Sequence, residues 1–217
     1  MCSSDLKRIL LSLTLGLFLF TVNAQEDKDA LAKKILTELS EKTKTHKSMS
    51  IDFKLTIKSK EINESQAGKA QTKGSKFHYT TSDREVFCNG ETVWSYIEED
   101  NECYIDDAED VSDFNPSEIM TIWDKNFNHQ YVKEVSTGSN IHEIKLFPTN
   151  PKESKYHTIV LTVDRNIKQI KKVIIKTKDG LTLVFSITKF ITNTEISDSV
   201  FKWQKAKHPG VSEEDNR

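Results

Sequence analysis

The stretch Val86-Phe87-Cys88-Asn89-Gly90-Glu91-Thr92-Val93-Trp94-Ser95-Tyr96-Ile97 decides the fold of this chain. Two apolar runs flank Asn89-Gly90, and Asn-Gly is the preferred pair for a tight hairpin turn because both residues adopt positive φ at low cost. We therefore predict a β-hairpin with Asn89 and Gly90 at the centre of its turn.

Strand patterns continue on both sides of this hairpin. Residues 49–58 alternate strictly between apolar and polar side chains, which indicates a strand with one buried face. Further strands are predicted at 77–81, 85–88, 93–97, 103–105, 131–135, 142–147, 158–163, 167–176 and 181–190, with Asp179-Gly180 as a second hairpin turn. Many short strands separated by turns are typical of a meandering antiparallel sheet, which in one domain must curl or be covered.

Two segments have a helical pattern and can cover such a sheet. The first spans residues 29–44, and its apolar residues recur at helical spacing: Leu31, Ile35, Leu36 and Leu39. The second spans residues 115–124, with Asn115 as N-cap, Pro116 at the first helical position and Glu118 completing a capping box. Its apolar side chains are Ile119, Met120, Ile122 and Trp123.

The first 24 residues have the features of a secretory signal peptide. Lys7 and Arg8 precede an apolar run over residues 9–20, and Val22-Asn23-Ala24 supplies small residues for cleavage. A membrane anchor is the alternative, but the run is shorter than the ~20 apolar residues that a spanning helix needs. We expect an exported, periplasmic protein with one domain over residues 25–217 and no second domain.

Composition and motifs disfavour several classes of function. With 31 Lys+Arg against 33 Asp+Glu, the net charge of −2 argues against nucleic acid as a partner. The six histidines do not approach metal-ligand spacing, so neither a metal site nor a cofactor is expected. The chain has no Gly-x-Ser-x-Gly elbow and no phosphate-binding glycine loop, and the acids between Glu98 and Asp110 are typical of a solvated loop. We expect no enzyme.

The two cysteines outside the leader are predicted to be free. With Asn89-Gly90 as the turn, Cys88 pairs with Glu91, and a turn at Glu99-Asp100 places Tyr96 opposite Cys103. Alternation then sends Cys88 and Cys103 to opposite faces of the sheet, which argues against the disulfide that an oxidising compartment would otherwise favour.

Aromatic side chains form the candidate binding site. The same register places Phe87, Trp94 and Tyr96 on one face of the hairpin and Val86, Cys88 and Val93 on the other. A sheet that is apolar on both faces is either covered twice or lines a cavity. An ordinary core is the alternative explanation for each aromatic residue taken singly.

These features resemble one family, that of the outer-membrane lipoprotein carrier LolA. The resemblance lies in a strand with Phe53, a glycine-led strand at Gly68, Phe77-His78-Tyr79, the Asn-Gly-x-Thr-Val-Trp-x-Tyr hairpin, and the ending Phe201-Lys202-Trp203 with Pro209-Gly210-Val211. It implies a fold that is mainly β with α: an incomplete, half-open antiparallel β-barrel covered by a helical lid.

The resemblance also implies a function. Family members bind acylated lipoproteins and carry them from an inner-membrane ABC-type transporter to an outer-membrane receptor. The implied lipid-binding cavity consists of Phe53, Phe77, Tyr79, Phe87, Trp94, Tyr96, Met120 and Trp123, and the implied lid of Leu31, Ile35, Ile119, Met120 and Trp123. The expected carrier is a monomer.

One family feature is replaced in this chain. Where the family carries an arginine that hydrogen-bonds to the lid, the nearest basic residue is Lys73, which lacks the planar fork of a guanidinium. We therefore expect the lid to close mainly through the packing of Ile119, Met120 and Trp123. Two other functions stay open: a lipid- or lipoprotein-sensing module of the same fold in envelope-stress signalling, and a secreted hydrolase.

Overall fold

The computed structural model describes residues 28–110, 116, 120–124 and 126–217. The predicted signal peptide lies outside these residues, as do Asn115, Glu118 and Ile119 of the second predicted helix. Within the described part of that segment, Ile122–Asp124 forms a 3-10 helix.

The N-terminal helix, α1, spans residues 28–44. One of its faces is buried, formed by Ala32, Ile35, Leu36 and Leu39. The helix ends where the backbone amides of Thr45 and His46 bond the carbonyls of Lys42 and Thr43, at 3.1 and 3.0 Å. Basic residues in this last turn stabilise the negative end of the helix dipole.

The strands form a single open sheet. They are β1 (Met49–Lys58), β2 (Asn63–Lys73), β3 (Lys76–Thr80), β4 (Arg84–Cys88), β5 (Thr92–Ile97), β6 (Glu102–Asp107), β7 (Phe127–Glu134), β8 (Ile141–Pro148), β9 (Tyr156–Asp164), β10 (Gln169–Thr177), β11 (Thr182–Thr192) and β12 (Ser212–Asp215). Their spatial order is β12-β6-β5-β4-β3-β2-β1-β11-β10-β9-β8-β7. All pairs are antiparallel except β12 with β6.

The sheet consists of two meanders joined along one seam. Strands β1 to β6 and β7 to β11 each follow their sequence order, and β1 pairs with β11 between them. A β-bulge at Thr188 interrupts this seam, where the Thr188 hydroxyl donates to the carbonyl of Asp52 at 3.0 Å. Bulges increase local twist and bend a sheet, which favours a curled, half-open barrel. The predicted fold class is therefore confirmed.

The hairpin that decides the fold forms with its turn one position later than predicted. Asn89 donates its backbone amide to the carbonyl of Thr92 at 3.2 Å, so Gly90 and Glu91 occupy the central positions. Gly90 has φ 100°, and the Asn89 side-chain oxygen accepts from the amides of Glu91 and Thr92. Cys88 therefore pairs with Val93 and not with Glu91.

This shift leaves the predicted faces unchanged. The partner of each residue moves by two positions, and side chains repeat every two residues along a strand. In the structure, Phe87 pairs with Trp94. Tyr96 pairs with Cys103, which is the predicted pair.

Candidate functional site

An apolar cavity of about 310 Å³ lies against one face of the sheet, across the seam between the two meanders. Met120 and Pro116 border it on the side away from the strands. Its other apolar walls come from the strands and from Leu181 in the turn before β11; the strand residues are Ile51, Phe53, Leu55, Ile57, Ala70, Tyr79, Val173, Leu183, Phe185 and Ile187. The strict alternation of β1 produces this wall, since Ile51, Phe53, Leu55 and Ile57 share one face.

Gly68 creates space for the largest side chain of this wall. Gly68 lies directly opposite Phe53 in the β1–β2 pair. A Cβ at residue 68 would lie 2.3 Å from Cζ of Phe53, so only glycine lets the ring lie across the neighbouring strand. Phe53 also packs against Phe185 of β11, with ring centroids 6.0 Å apart.

One end of the cavity is polar. It is bordered by Gln66, Thr81, Asp83 and Arg84. Arg84 Nε lies 3.3 Å from Asp83, and the Thr81 hydroxyl donates to Asp83 at 2.6 Å. Partial burial works to raise the pKa of Asp83, but the Thr81 hydrogen bond and the Arg84 charge hold the pKa below its ordinary value. This end of the cavity therefore carries an ionised pair at neutral pH.

A second, more polar pocket of about 210 Å³ lies beside the C-terminal end of α1. Lys42, Thr43 and His46 come from this end of the helix, and Lys168 comes from the turn between β9 and β10. Met120 lines both this pocket and the apolar cavity. Burial, followed by the charge of Lys42, lowers the pKa of His46, so its imidazole is neutral at neutral pH.

The structure brings three of the predicted cavity residues to the cavity: Phe53, Tyr79 and Met120. Phe77 instead packs in an adjacent buried cluster with Val86, Cys88 and Val93. Trp123 is buried beneath α1, where its indole Nε1 donates to the hydroxyl of Ser40 at 2.8 Å.

Phe87, Trp94 and Tyr96 do not line the cavity, which corrects the predicted site. They lie on the other face of the sheet, because alternation places them opposite to Val86, Val93 and Tyr79. The C-terminal segment covers this second face. Trp203 packs against Phe87 and Tyr96 with centroids 5.8 and 5.4 Å apart, and His208 stacks on Trp203 at 4.2 Å. The hairpin is thus apolar on both sides because it is covered twice.

Two of the predicted lid residues, Leu31 and Ile35, pack in the main hydrophobic core. Ile35 is buried, Leu31 is half-buried, and both pack in the cluster that contains Met120 and Trp123. Lys73 instead contacts the C-terminal segment: its Nζ bonds Asp198 at 2.8 Å and the carbonyl of Ile196 at 3.1 Å. It therefore anchors the C-terminal segment.

Sequence reasoning missed most of the contribution of β10 and β11 to the cavity. Val173, Leu183 and Ile187 line it, although these strands were predicted. The available signal was alternation in residues 181–190 around the Asp179-Gly180 hairpin, which forms as predicted with Gly180 at φ 93°. Their place beside β1 is a long-range pairing that periodicity does not encode.

Cys88 and Cys103 are free and buried. Burial raises the pKa of both thiols, to about 12 for Cys103. Both thiols are therefore unreactive, and each is buried on a different face of the sheet. The described residues contain no group of three or more His, Cys, Asp or Glu side chains placed to hold a metal ion.

With the fold and the cavity described, comparison with known proteins identifies the family of this chain. The family model of the outer membrane lipoprotein carrier protein LolA matches residues 44–204. This chain therefore belongs to the LolA family. No curated protein sequence matches it.

Solved structures are similar to this chain at low sequence identity. An uncharacterised conserved protein from Thermus thermophilus superposes with a TM-score of 0.56 at 9% identity, over 85% of this chain and 99% of that one. A LolA superfamily protein from Nitrosomonas europaea gives 0.45 at 10% identity, over 79% and 97%. The MucA/MucB complex of Pseudomonas aeruginosa gives 0.38 at 12% identity, over 80% and 61%. No helix in the described ranges is both long and apolar enough to span a membrane.

Proposed function

We propose that this protein binds the acyl chains of lipoproteins in the apolar cavity and carries them through the periplasm from the inner to the outer membrane. The observation that supports this function most directly is the cavity itself, whose walls are apolar along β1 and β11 and polar only at one end. Such a site suits a ligand with a long apolar part and a polar end.

The energetics of the cargo require a carrier of this kind. Burial of apolar surface is worth about 0.8 kcal/mol per CH₂, so an acyl chain of roughly fifteen methylenes gains about 12 kcal/mol on leaving water. A chain that gains so much does not cross an aqueous compartment unprotected. Transfer onward then needs a receptor with a still more favourable site, because the family fold supplies binding and no energy source. The proposed partners are thus an inner-membrane transporter and an outer-membrane receptor.

The size of the cavity implies that it opens. Its volume of about 310 Å³ lies at the lower end of the roughly 300–1,000 Å³ range of ligand pockets. Three acyl chains need more room than this, so full loading requires Met120 and α1 to move away from the sheet.

A matched pair of substitutions on β11 tests the proposal. Leu183 lines the cavity, whereas the adjacent Val184 has the same degree of burial but points to the other face. Leu183→Glu places an unpaired charge in the cavity, and we expect loading of a triacylated lipopeptide to fall at least roughly tenfold. Val184→Glu should load as the unchanged protein does.

The measurement is co-purification of lipopeptide with the protein, followed by transfer to acceptor vesicles. Circular dichroism of both variants controls for folding. Equal loading of the two folded variants would remove the cavity from the function. Loading without any transfer to the outer membrane in cells would instead favour the lipoprotein-sensing alternative.

A further inference from the structure

The pocket at the end of α1 contains charged and polar side chains to which a purely apolar cargo would not bind. Its walls include Lys42, Thr43, His46, Lys168 and Gln169. Two cations and several hydrogen-bonding groups converge there, next to a cavity that is apolar. The acyl part of a ligand would gain nothing from these side chains.

The two lysines are available to a ligand. Among the described residues, the ion pairs do not involve Lys42 or Lys168. Glu38 is the acidic side chain near Lys168, and Arg165 already engages it at 3.4 Å. The nearby acid thus has a partner of its own, and the pocket keeps a surplus of positive charge.

His46 adds a group without a partner. Its Nδ1 is buried and makes no hydrogen bond within the described part of the chain. A buried polar atom of this kind costs free energy unless something satisfies it. The ring is held in place by edge contact with Phe190, whose centroid lies 6.0 Å away.

Lys168 occupies its position at a conformational cost. Its φ is 51°, in the left-handed region where glycine or asparagine is preferred, and the Asp164 side chain fixes the turn by accepting from the amides of Asn166 and Ile167. Lys42 has a structural explanation, because a cation stabilises the end of a helix. Lys168 comes from a separate element, and its charge attracts Glu38 without forming an ion pair with it.

Met120 separates this pocket from the apolar cavity. It contacts both spaces, and methionine has a flexible, unbranched side chain that changes conformation easily. A rotation of Met120 would join the two spaces into one site that is apolar along the seam and basic at the end of α1.

We propose that the pocket formed by Lys42, His46 and Lys168 binds the anionic phosphate group of an amphiphile whose acyl chain occupies the apolar cavity. This assignment rests on the proposed function, because it uses the same cavity for the acyl chain. It extends the cargo from acyl chains in general to acyl chains that carry a phosphate. Lys42 and Lys168 supply charge-assisted hydrogen bonds, and His46 supplies a further polar contact.

The test compares two lipids that differ only in the phosphate. Palmitoyl lysophosphatidic acid and monopalmitoylglycerol each displace a fluorescent fatty acid from the intact protein, below their critical micelle concentrations. We expect the phosphorylated lipid to bind on the order of tenfold more tightly, because two charged hydrogen bonds form only with it. In Lys42→Gln/Lys168→Gln this preference should disappear, while the affinity for monopalmitoylglycerol stays unchanged.

A matched variant, Lys33→Gln/Lys60→Gln, removes two positive charges from exposed positions outside both spaces and should keep the preference. Inorganic phosphate is titrated separately. If it alone competes as well as the lipid, the pocket is a free-phosphate site and the headgroup assignment is wrong.

The outcomes separate this inference from the proposed function. Equal binding of both lipids to the unchanged protein, or an unaltered preference in Lys42→Gln/Lys168→Gln, overturns the phosphate site and leaves the cavity in place. Failure of both lipids to bind overturns the cavity and the phosphate site together.

Discussion

At the scale of single residues, the contact between Gly68 and Phe53 determines the shape of the cavity. The ring of Phe53 occupies the space that any larger residue 68 would need. Phe53 is only half-buried although it sits in the middle of β1, since one side of its ring faces the cavity.

Gly68→Ala is therefore expected to destabilise the fold by about 1–3 kcal/mol, the usual cost of inserting a methyl group into a packed site. Its effect should depend on Phe53. In a Phe53→Ala background, the added methyl group meets no ring, so the further cost should fall to a few tenths of a kcal/mol. Urea unfolding of the four proteins measures this coupling. Additive costs would mean that the ring does not rest on residue 68.

The Asp198 carboxylate is the residue-scale feature with a clear pH dependence. Lys73 and Lys76 bond its two oxygens at 2.8 and 2.6 Å and lower the pKa of Asp198 to about 2. A depressed pKa gives stabilisation that is complete above the ordinary carboxyl range and is lost as the pH falls through about 2.

NMR titration of the Asp198 side chain should show this low pKa. In Lys73→Leu the pKa should rise toward its ordinary value, and in Lys73→Leu/Lys76→Leu it should rise further. Because Lys73 holds the C-terminal segment, Lys73→Leu should leave lipid loading nearly intact. A variant that traps lipid on the protein would contradict this placement and would mean that Lys73 acts on the lid as the arginine of the family does.

At the scale of elements, Trp123 links α1 to the hydrophobic core. Trp123 is buried, and its indole bonds Ser40 of α1 at 2.8 Å. Trp123→Phe and Ser40→Ala remove the same hydrogen bond, and Trp123→Phe also removes part of a buried ring system. Ser40→Ala should therefore cost about 1 kcal/mol and Trp123→Phe more, with a joint cost below their sum. Urea unfolding measures all three.

Trp123→Ala removes the ring as well, with an expected cost of about 3–5 kcal/mol. It should also raise the fluorescence of a hydrophobic dye added to the empty protein, because Met120, which borders the cavity and packs in the same cluster as Trp123, then loses part of its packing. Ser40→Ala is the control: it removes a hydrogen bond but keeps the Trp123 ring in place, so dye binding should rise much less. Equal dye binding by Trp123→Ala and the unchanged protein would show that this segment does not close the cavity.

Strand β1, helix α1 and the faces of the hairpin could all be predicted from the sequence. Alternation predicted β1, and the helical period predicted α1, because each pattern reports directly which side chains are buried. The hairpin faces were predicted correctly despite the wrong turn, since a shift of two residues preserves alternation. The sequence could not reveal which apolar face meets the cavity. That depends on the C-terminal segment, which covers Phe87, Trp94 and Tyr96 from a distance of about a hundred residues along the chain.

At the scale of the whole molecule, most neighbouring strands are also neighbours in sequence. The exceptions are β1 with β11 and β6 with β12. A meander was predicted because local pairing leaves turn signals between strands, such as Asp179-Gly180. The β1–β11 pair leaves no local signal, and this is why Leu183 and Ile187 of the β11 wall were not predicted as cavity residues.

The β1–β11 seam also determines when during folding the protein becomes able to bind. Met49 pairs with Thr192 across the seam, so its closure brings together residues far apart in sequence, whereas each meander can form by local pairing. Cavity walls come from both meanders, so neither one alone contains the site. A bound lipid contacts both and must leave before they separate. Amide hydrogen exchange should therefore slow on lipid binding most strongly along β1 and β11, and the cargo would delay the unfolding of its own carrier.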